Sequence, residues 1–406
     1  MGVLFCAQAV ISVELPSLGI FAERIFSFAP FPMPIASTAP LYIGLMSGTS
    51  MDGVDGVLAR FPDDGPPELL ASASLGFDAG LRTELAALNL PGDNELERAA
   101  LAARGLVAVY AKVVARLLAD AKLNAHQVRA IGAHGQTVRH RPEAGFTIQL
   151  NAPAELAELT GIAVVADLRS RDVAAGGHGA PLVPAFHHAL FGGERARAIL
   201  NLGGIANVSL LVPGQPVTGF DTGPANLFMD MWCERHTGAP FDADGALAAQ
   251  GRVDPDLLDY LIDSEPWFSL APPKSTGRDR FNAAWLDQRL QTWQQNHAPL
   301  SIADVQATLC CLTARTVADA VKRHAPATEE LLVCGGGAYN RSLIADLAAR
   351  LGIPVRATDA LGVPANEMEA LAFAWLAAMH VAGRPGNLPA VTGARGLRTL
   401  GAYHPA

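Results

Sequence analysis

Leu41-Tyr42-Ile43-Gly44-Leu45-Met46-Ser47-Gly48-Thr49-Ser50-Met51-Asp52-Gly53-Val54-Asp55 says more about this chain than any other stretch. An apolar run feeds a tight turn rich in Gly, Ser and Thr, and the chain re-enters an apolar segment at 54–58. The pattern predicts a β-hairpin whose turn points backbone N–H groups and hydroxyls into one space, a nest suited to phosphate oxygens. Asp52 and Asp55 would repel a bare phosphate, so a divalent cation or an ordered lysine belongs nearby. Taken alone, such a turn is more often only a turn.

The second half repeats the theme. Asn201-Leu202-Gly203-Gly204-Ile205-Ala206-Asn207 lies between two apolar runs, 198–200 and 208–212. Gly219-Phe220-Asp221-Thr222-Gly223-Pro224-Ala225-Asn226 does much the same a little further on. Leu331-Leu332-Val333-Cys334 then runs into Gly335-Gly336-Gly337-Ala338-Tyr339-Asn340, where absent Cβ atoms let backbone approach a flat group such as a purine or ribose. Four strand–glycine-turn units in this order resemble the actin/hexokinase-type ATPases. In those, two lobes each carry a phosphate-clasping hairpin, and an adenosine-binding turn follows in the second.

The bulk properties agree with a two-lobed enzyme. The chain has 406 residues, half of them hydrophobic and 17% charged, enough for a substantial core. A net charge of -9 and the lack of any basic run argue against a nucleic-acid surface. Five cysteines without CxxC spacing read as reduced thiols, and the expected compartment is the cytoplasm. The first 38 residues are apolar and aromatic, but Glu14, Glu23 and Arg24 interrupt them and no cationic start precedes them. They make a poor signal peptide and are too broken to span a bilayer. The preferred reading is a start assigned too early, with Met33 as the true one; a disordered or weakly docked extension is the alternative. No other segment is apolar for long enough to cross a membrane, so no membrane partner is expected.

The order of elements predicts an α/β fold with alternating helices and strands. A helix is expected from 95 to about 123, with Leu106, Val109, Val113 and Leu117 at helical spacing. A buried strand at 128–133 ends in His134-Gly135-Gln136-Thr137, a short helix covers 152–159, and a central strand covers 162–166. A long helix spans 303 to about 322, and another spans 366–380. The expected organisation is an N-terminal extension at 1–38, a first lobe at 39–195, a second lobe at 196–361, and a C-terminal helix at 362–406 returning to the first lobe. The paired turns imply duplicated lobes, although no literal repeat is visible.

The densest polar constellation is Asp167-Leu168-Arg169-Ser170-Arg171-Asp172-Val173-Ala174-Ala175-Gly176-Gly177-His178-Gly179, directly after the 162–166 strand. Open α/β sheets place ligands at the carboxyl ends of their strands. Asp172 is the candidate catalytic base, with the flanking arginines holding it ionised and facing phosphate oxygens. The plain alternative is a structural ion pair at a strand end.

Here the resemblance becomes specific. The motifs at 44–55, His134-Gly135-Gln136-Thr137-Val138-Arg139-His140, Arg171-Asp172-Val173-Ala174-Ala175-Gly176-Gly177, 201–207, Phe220-Asp221-Thr222-Gly223-Pro224 and Glu369-Ala370-Leu371-Ala372-Phe373-Ala374-Trp375 together resemble the anhydro-N-acetylmuramic acid kinases. The similarity runs from about residue 41 to the end. The chain departs from the family pattern at His178, where glutamine is expected, and at Ala225, where glycine is frequent.

The resemblance implies a two-lobed actin/hexokinase-like (ribonuclease H-like) kinase fold with a nucleotide cleft between lobes. It also implies ATP with Mg2+, and favours a homodimer. The implied reaction opens a 1,6-anhydro sugar with water and phosphorylates the freed O6. Water must attack the anomeric carbon opposite the departing oxygen, so one carboxylate acts as base. The leaving oxygen needs no acid if it attacks phosphorus. Asp172 is the expected base, and Glu369 the second carboxylate, positioning substrate or a magnesium-bound water. Glu369 taken alone reads as an acid favouring its helix dipole. Gly44, Ser47, Gly48, Thr49, Ser50 and Asp52 would clasp phosphate in the first lobe, with Asn201, Gly203, Gly204, Asp221, Thr222 and Gly223 in the second. Gly335, Gly336 and Asn340 would border adenosine. Asp52 and Asp221 are expected to orient hydrated magnesium. His134, Gln136, Arg139, Arg171 and His178 are the expected sugar-side contacts, Arg139 for a carboxylate. His134 reads almost equally well as a satisfied core histidine. Lys274-Ser275-Thr276-Gly277-Arg278-Asp279-Arg280-Phe281 also resembles a family segment and reads as a mobile polar loop, with no role assigned beyond closure on the substrate or nucleotide side.

Two other functions fit the pattern less fully. An ordinary sugar kinase of the same fold would act on a free hydroxyl and consume no water. A nucleotide-operated binding module would need the turns but no acid placed for sugar chemistry.

Overall fold

The computed structural model describes residues 39–48, 51–62, 65–278 and 280–406. The readings of 1–38, Thr49, Ser50 and Asp279 therefore fall outside the described residues.

The strands in chain order are β1 (Leu41–Met46), β2 (Gly53–Arg60), β3 (Glu68–Gly76), β4 (Val128–Ala133), β5 (Gln136–Arg141), β6 (Phe146–Leu150) and β7 (Val164–Ala166). The second half adds β8 (Arg197–Leu202), β9 (Ile205–Leu211), β10 (Thr218–Pro224), β11 (Glu330–Cys334), β12 (Val355–Ala357) and β13 (Ala402–His404). They form a six-stranded sheet of order β13-β7-β4-β1-β2-β3, a five-stranded sheet of order β10-β9-β8-β11-β12, and the β5–β6 ribbon. In the first sheet β1, β2 and β3 are an antiparallel meander, and β4 and β7 run parallel from β1. In the second, β8, β9 and β10 form the meander, and β11 and β12 run parallel from β8. One topology is thus used twice, with a hairpin turn at the same place in each copy.

The first sheet is covered on both faces, so β1 is buried along nearly its whole length rather than alternating. On one side lies helix Glu95–Ala121, whose Leu106, Tyr110, Val113 and Leu117 fall on one stripe. On the other lies helix Met368–Val381, apolar around most of its surface and rich in alanine. It sits close because Gly44 and Gly132, register partners on β1 and β4, have no side chains. A Cβ at Gly44 would run into the carbonyl oxygen of Ala370, and one at Gly132 into that of Phe373. Beyond this helix the chain ends as β13, antiparallel to β7. Helix Ile302–His324 packs on β9 and β10 of the second sheet. A single buried cluster joins the second lobe, helix Met368–Val381 and inner residues of the first sheet such as Tyr42, Ala130 and Val165.

Two local expectations change. The strand expected at 162–166 covers Val164–Ala166 and lies next to the β13 edge rather than at the sheet's centre. Asp221-Thr222-Gly223 lies within β10, at a shift of register against β9, rather than in a hairpin turn.

Candidate active site

The first hairpin turn is held from below by β4 and β5. Ser47 is buried and its hydroxyl donates to Gln136 Oε1. Gln136 Nε2 donates to the Gly48 carbonyl at 3.1 Å. His134 Nδ1 lies 3.1 Å from the Ser47 carbonyl, while Nε2 accepts from Arg169 Nε and Nη2 at 3.2 and 3.0 Å. A guanidinium can only donate, so the ring proton sits on Nδ1 and points at Ser47. Burial, then the Arg169 charge, pushes the imidazole down to about 3, which keeps it neutral. Gln136, expected at the sugar, thus spends its side chain on the turn, and His134 divides its two nitrogens between the turn and Arg169.

Three other expected residues are engaged elsewhere. Arg139 pairs with Glu95 at 2.6 Å and donates to the Leu88 carbonyl, so the structure ties its guanidinium to the first lobe. Arg171 donates to the Thr399 carbonyl at 2.9 Å. Gly44 is a packing glycine in mid-strand beneath helix Met368–Val381, not part of the phosphate turn.

Glu369, in the first turn of helix Met368–Val381, stands where the lobes meet. Its Oε1 accepts from Asn201 Nδ2, at the end of β8, at 3.3 Å. Burial raises its pKa, Arg169 opposes the shift, and Asp55 adds to it. Arg169 itself is pushed down to about 10 by burial, with Glu369 and Asp172 acting against that. One arginine therefore serves His134, Glu369 and the 167–179 loop, where its Nη1 donates to the Gly179 carbonyl at 2.8 Å. In the second hairpin, Gly203 and Gly204 give their carbonyls to the N–H groups of Asn226 and Ala225 at 3.0 and 2.9 Å, tying the turn to the start of helix Asn226–Thr237.

Asp172 is not flanked by arginine donors. It is 0% exposed. Asn387 Nδ2 and Thr392 Oγ1 donate to Oδ1 at 2.7 and 2.8 Å, and the Gly179 N–H donates to Oδ2 at 2.8 Å. Gly177 packs so close that a Cβ there would collide with Oδ2. The His178 N–H donates to the Thr392 carbonyl at 2.7 Å, and the His178 side chain is left exposed. The carboxylate therefore clasps the C-terminal segment to the glycine loop.

Asp221 contrasts with it. Its Oδ2 accepts the Thr276 N–H at 2.9 Å, and its own N–H donates to the Lys274 carbonyl at 3.1 Å. Burial raises the carboxyl to about 6, with the Thr276 N–H and Lys274 opposing. The strand carrying it meets the first lobe, since a Cβ at Gly219 would lie 2.9 Å from Pro184 Cγ. Thr222 is buried and reaches the Ala206 carbonyl at 3.4 Å, and Gly223 holds φ +142°.

Further along, Gly335 takes φ +79° after β11, and a Cβ there would meet Asn201 Oδ1 at 2.5 Å. Gly336 is open, whereas Asn340 caps helix Arg341–Leu351 by accepting the Leu343 N–H at 3.0 Å. Asp52 is exposed beside the first turn. Among the described residues no three His, Cys, Asp or Glu side chains converge as a metal cage.

Sequence reading did not single out Asn387 and Thr392, which hold Asp172 from 215 and 220 residues away. Neither carries a local signal; only the return of the chain to the first sheet brings them there. The Lys274–Thr276 backbone at Asp221 was similarly legible only as a polar loop.

Two lobes of one topology, each with a Gly/Ser/Thr or Gly-Gly hairpin turn at the same place and a carboxylate between them, define a kinase of the actin/hexokinase class. The chain belongs to the anhydro-N-acetylmuramic acid kinase family, whose model matches residues 40–406. Relatives of that name include proteins of Bordetella pertussis, 65% identical over 90% of this chain and 96% of the relative, and Paraburkholderia xenovorans, 56% identical over 90% and 98%. Solved structures with a distant likeness include xylulose kinase from Rhodospirillum rubrum, at 13% identity and TM-score 0.44 over 90% of this chain and 94% of that one. Another is a ROK family glucokinase from Streptomyces griseus in complex with glucose and AMPPNP, at 14% identity and TM-score 0.37 over 83% and 98%.

Proposed function

We infer that this chain is an ATP-dependent kinase that opens 1,6-anhydro-N-acetylmuramic acid with water and phosphorylates O6, giving N-acetylmuramic acid 6-phosphate in peptidoglycan recycling. Family membership over 40–406 supports the substrate. The observation that carries the active-site reading is Glu369, bonded to Asn201 of the second hairpin and facing Arg169 of the first lobe. The two hairpins, with Ser47, Gly48, Gly203 and Gly204, would take the phosphates from either side, while Gly335 and Gly336 would border the adenosine.

We assign the base to Asp172. A carboxylate's two oxygens carry about four lone pairs, so the donors from Asn387, Thr392 and the Gly179 N–H orient the group and still leave Oδ2 a lone pair for water. A second reading gives the proton transfer to Asp221, favoured by an Oδ1 free of any hydrogen bond recorded among the described residues and by a carboxyl near 6. Asp172 takes one proton from water as the water oxygen bonds to C1 and the C1–O6 bond breaks. O6 then bonds to the γ-phosphorus and ADP leaves, so no acid is consumed. His178 and Arg169 are the sugar-side groups of this reading.

A magnesium ion brought with the nucleotide would supply charge neutralisation at the phosphate oxygens. Asp52 and Asp221 would orient it through its waters, with Glu369 positioning the sugar or one of those waters. Cytoplasmic location and a homodimer complete the proposal. Buried thiols at Cys233, Cys310, Cys311 and Cys334 agree with a reducing compartment, and sedimentation at twice the chain mass would establish the dimer.

The test is turnover of 1,6-anhydro-N-acetylmuramic acid beside N-acetylmuramic acid, with ATP in oxygen-18 water and mass-spectrometric readout. Product from the anhydro sugar carrying one heavy oxygen at C1 is expected. Product from the open sugar alone, without solvent oxygen, would replace this reading with an ordinary sugar kinase.

A further inference from the structure

His134 stands between the parts that the proposed reaction brings together. It follows β4 directly, and its backbone N–H donates to the Leu45 carbonyl of β1 at 3.0 Å. Only 5% of it is exposed. Burying an imidazole costs free energy unless its nitrogens are paired, and an apolar side chain would fill the same space without that cost. Both nitrogens are paired here, and each partner belongs to a different part of the site.

Nδ1 faces the first hairpin, 3.1 Å from the Ser47 carbonyl. Nε2 takes two prongs of the Arg169 guanidinium, Nε and Nη2, at 3.2 and 3.0 Å. The ring lies against Phe373, with centroids 4.7 Å apart. Phe373 follows Glu369 by one turn of the same helix, so the two fall on one face. One side chain thus touches the phosphate turn, the sugar-side arginine and the helix that carries the second carboxylate. Its seat is fixed from behind, where the neighbouring Gly135 N–H donates to the buried Tyr110 hydroxyl at 3.0 Å.

The two hydrogen bonds of the ring depend on each other. A neutral imidazole carries one proton and one lone pair. The Ser47 carbonyl can only accept and the guanidinium can only donate, so each bond fixes the tautomer that the other needs. Polarisation through the ring strengthens both. Arg169 has five N–H groups, and the bonds to His134 and to the Gly179 carbonyl occupy three of them. The other two, on Nη1 and Nη2, point where the held fork directs them.

We propose that His134 is a positioning residue that couples nucleotide binding at the first hairpin to sugar binding at Arg169. A phosphate seated on the Ser47–Gly48 turn orders the Ser47 carbonyl, the carbonyl holds Nδ1, and Nε2 holds the Arg169 fork beside Glu369. Coupling between two binding sites is reciprocal, so the sugar tightens the nucleotide by the same factor. This coupling rests on the hairpin and Arg169 serving nucleotide and sugar as proposed above.

The full native chain is titrated calorimetrically with 1,6-anhydro-N-acetylmuramic acid, alone and with saturating AMPPNP and magnesium. The sugar should bind about fivefold more tightly, or better, when the nucleotide analogue is present. His134→Asn puts an amide where Nδ1 stands, keeping the donor to Ser47 and losing the acceptor for Arg169. His134→Gln puts an amide where Nε2 stands, keeping that acceptor and losing the donor. Each variant should abolish the cooperativity. His134→Asn should weaken the sugar alone and His134→Gln the nucleotide alone, a split that a merely structural histidine would not give. Cooperativity kept in either folded variant, or equal weakening of both ligands by both variants, would overturn the coupling. If neither variant folds, Arg169→Lys, which keeps the charge and loses the fork, decides: native cooperativity there would overturn it. Sugar binding without cooperativity in the native chain would overturn the coupling and leave the kinase reading standing. No sugar binding at all would overturn the substrate reading and the coupling with it.

Discussion

Asp172→Asn keeps the side chain's shape but removes the proton acceptor. Turnover should fall by about 10²–10⁴-fold with little change in nucleotide binding. Asp221 sets a pH dependence of stability. Its carboxyl is raised from 3.8 to about 6, so the folded state is favoured when Asp221 is protonated and loses that advantage as pH rises from 4 through 6. Asp221→Asn should therefore match the native thermal midpoint near pH 4 and exceed it at pH 7, by at most about 3 kcal/mol. Asp172→Ala should do the reverse, leaving Asn387, Thr392 and the Gly179 N–H without their acceptor. A loss of about 3 kcal/mol or more in denaturant unfolding is expected. A folded Asp172→Asn variant with near-native turnover would remove Asp172 from the mechanism and pass the base to Asp221.

At the scale of elements, the position of Glu369 depends on how closely helix Met368–Val381 lies on β1 and β4. Gly44→Ala and Gly132→Ala each put a methyl group into a helix carbonyl, Ala370 and Phe373 respectively. Neither the helix nor the sheet can give locally, because both are buried in packed cores. Each variant should lose about 3 kcal/mol or more and, at a temperature where it is folded, show lower kcat as Glu369 shifts. Calorimetry beside kinetics checks this, and native kcat in a folded Gly44→Ala variant would sever the link between helix seating and Glu369. The same packing explains what a residue-by-residue reading misassigned. Gly44 sits in a glycine-rich motif, yet its lack of a Cβ serves the helix behind it rather than a phosphate.

For the whole molecule, the duplicated lobes and their hairpins imply closure around ATP and sugar. The radius of gyration from small-angle scattering should fall when both ligands are present and less with either alone; an unchanged value with both would count against closure. Closure has to work about a shared hydrophobic cluster, since helix Met368–Val381 and inner residues of both sheets are buried together. Rotation of rigid lobes about that cluster, rather than separation of independent domains, is the motion this packing allows.

The sequence by itself determined the elements and the motifs. Apolar runs, helical spacing and glycine-rich turns are local properties, and the hairpins, the two long helices and the order of the units were legible from them. The topology that repeats in the two sheets left no trace as a sequence repeat, because strand order depends on hydrophobic pattern and turn position rather than residue identity. Tertiary structure alone decided which polar groups meet. His134 and Gln136 turned to the Ser47–Gly48 turn, and Asp172 found Asn387 and Thr392 more than 200 residues away. Asp221 was left with its carboxyl raised between β10 and the Lys274–Thr276 backbone. Burial and hydrogen-bond partners set the role of a carboxylate, and both come from residues distant in the chain, so no local motif can carry that information.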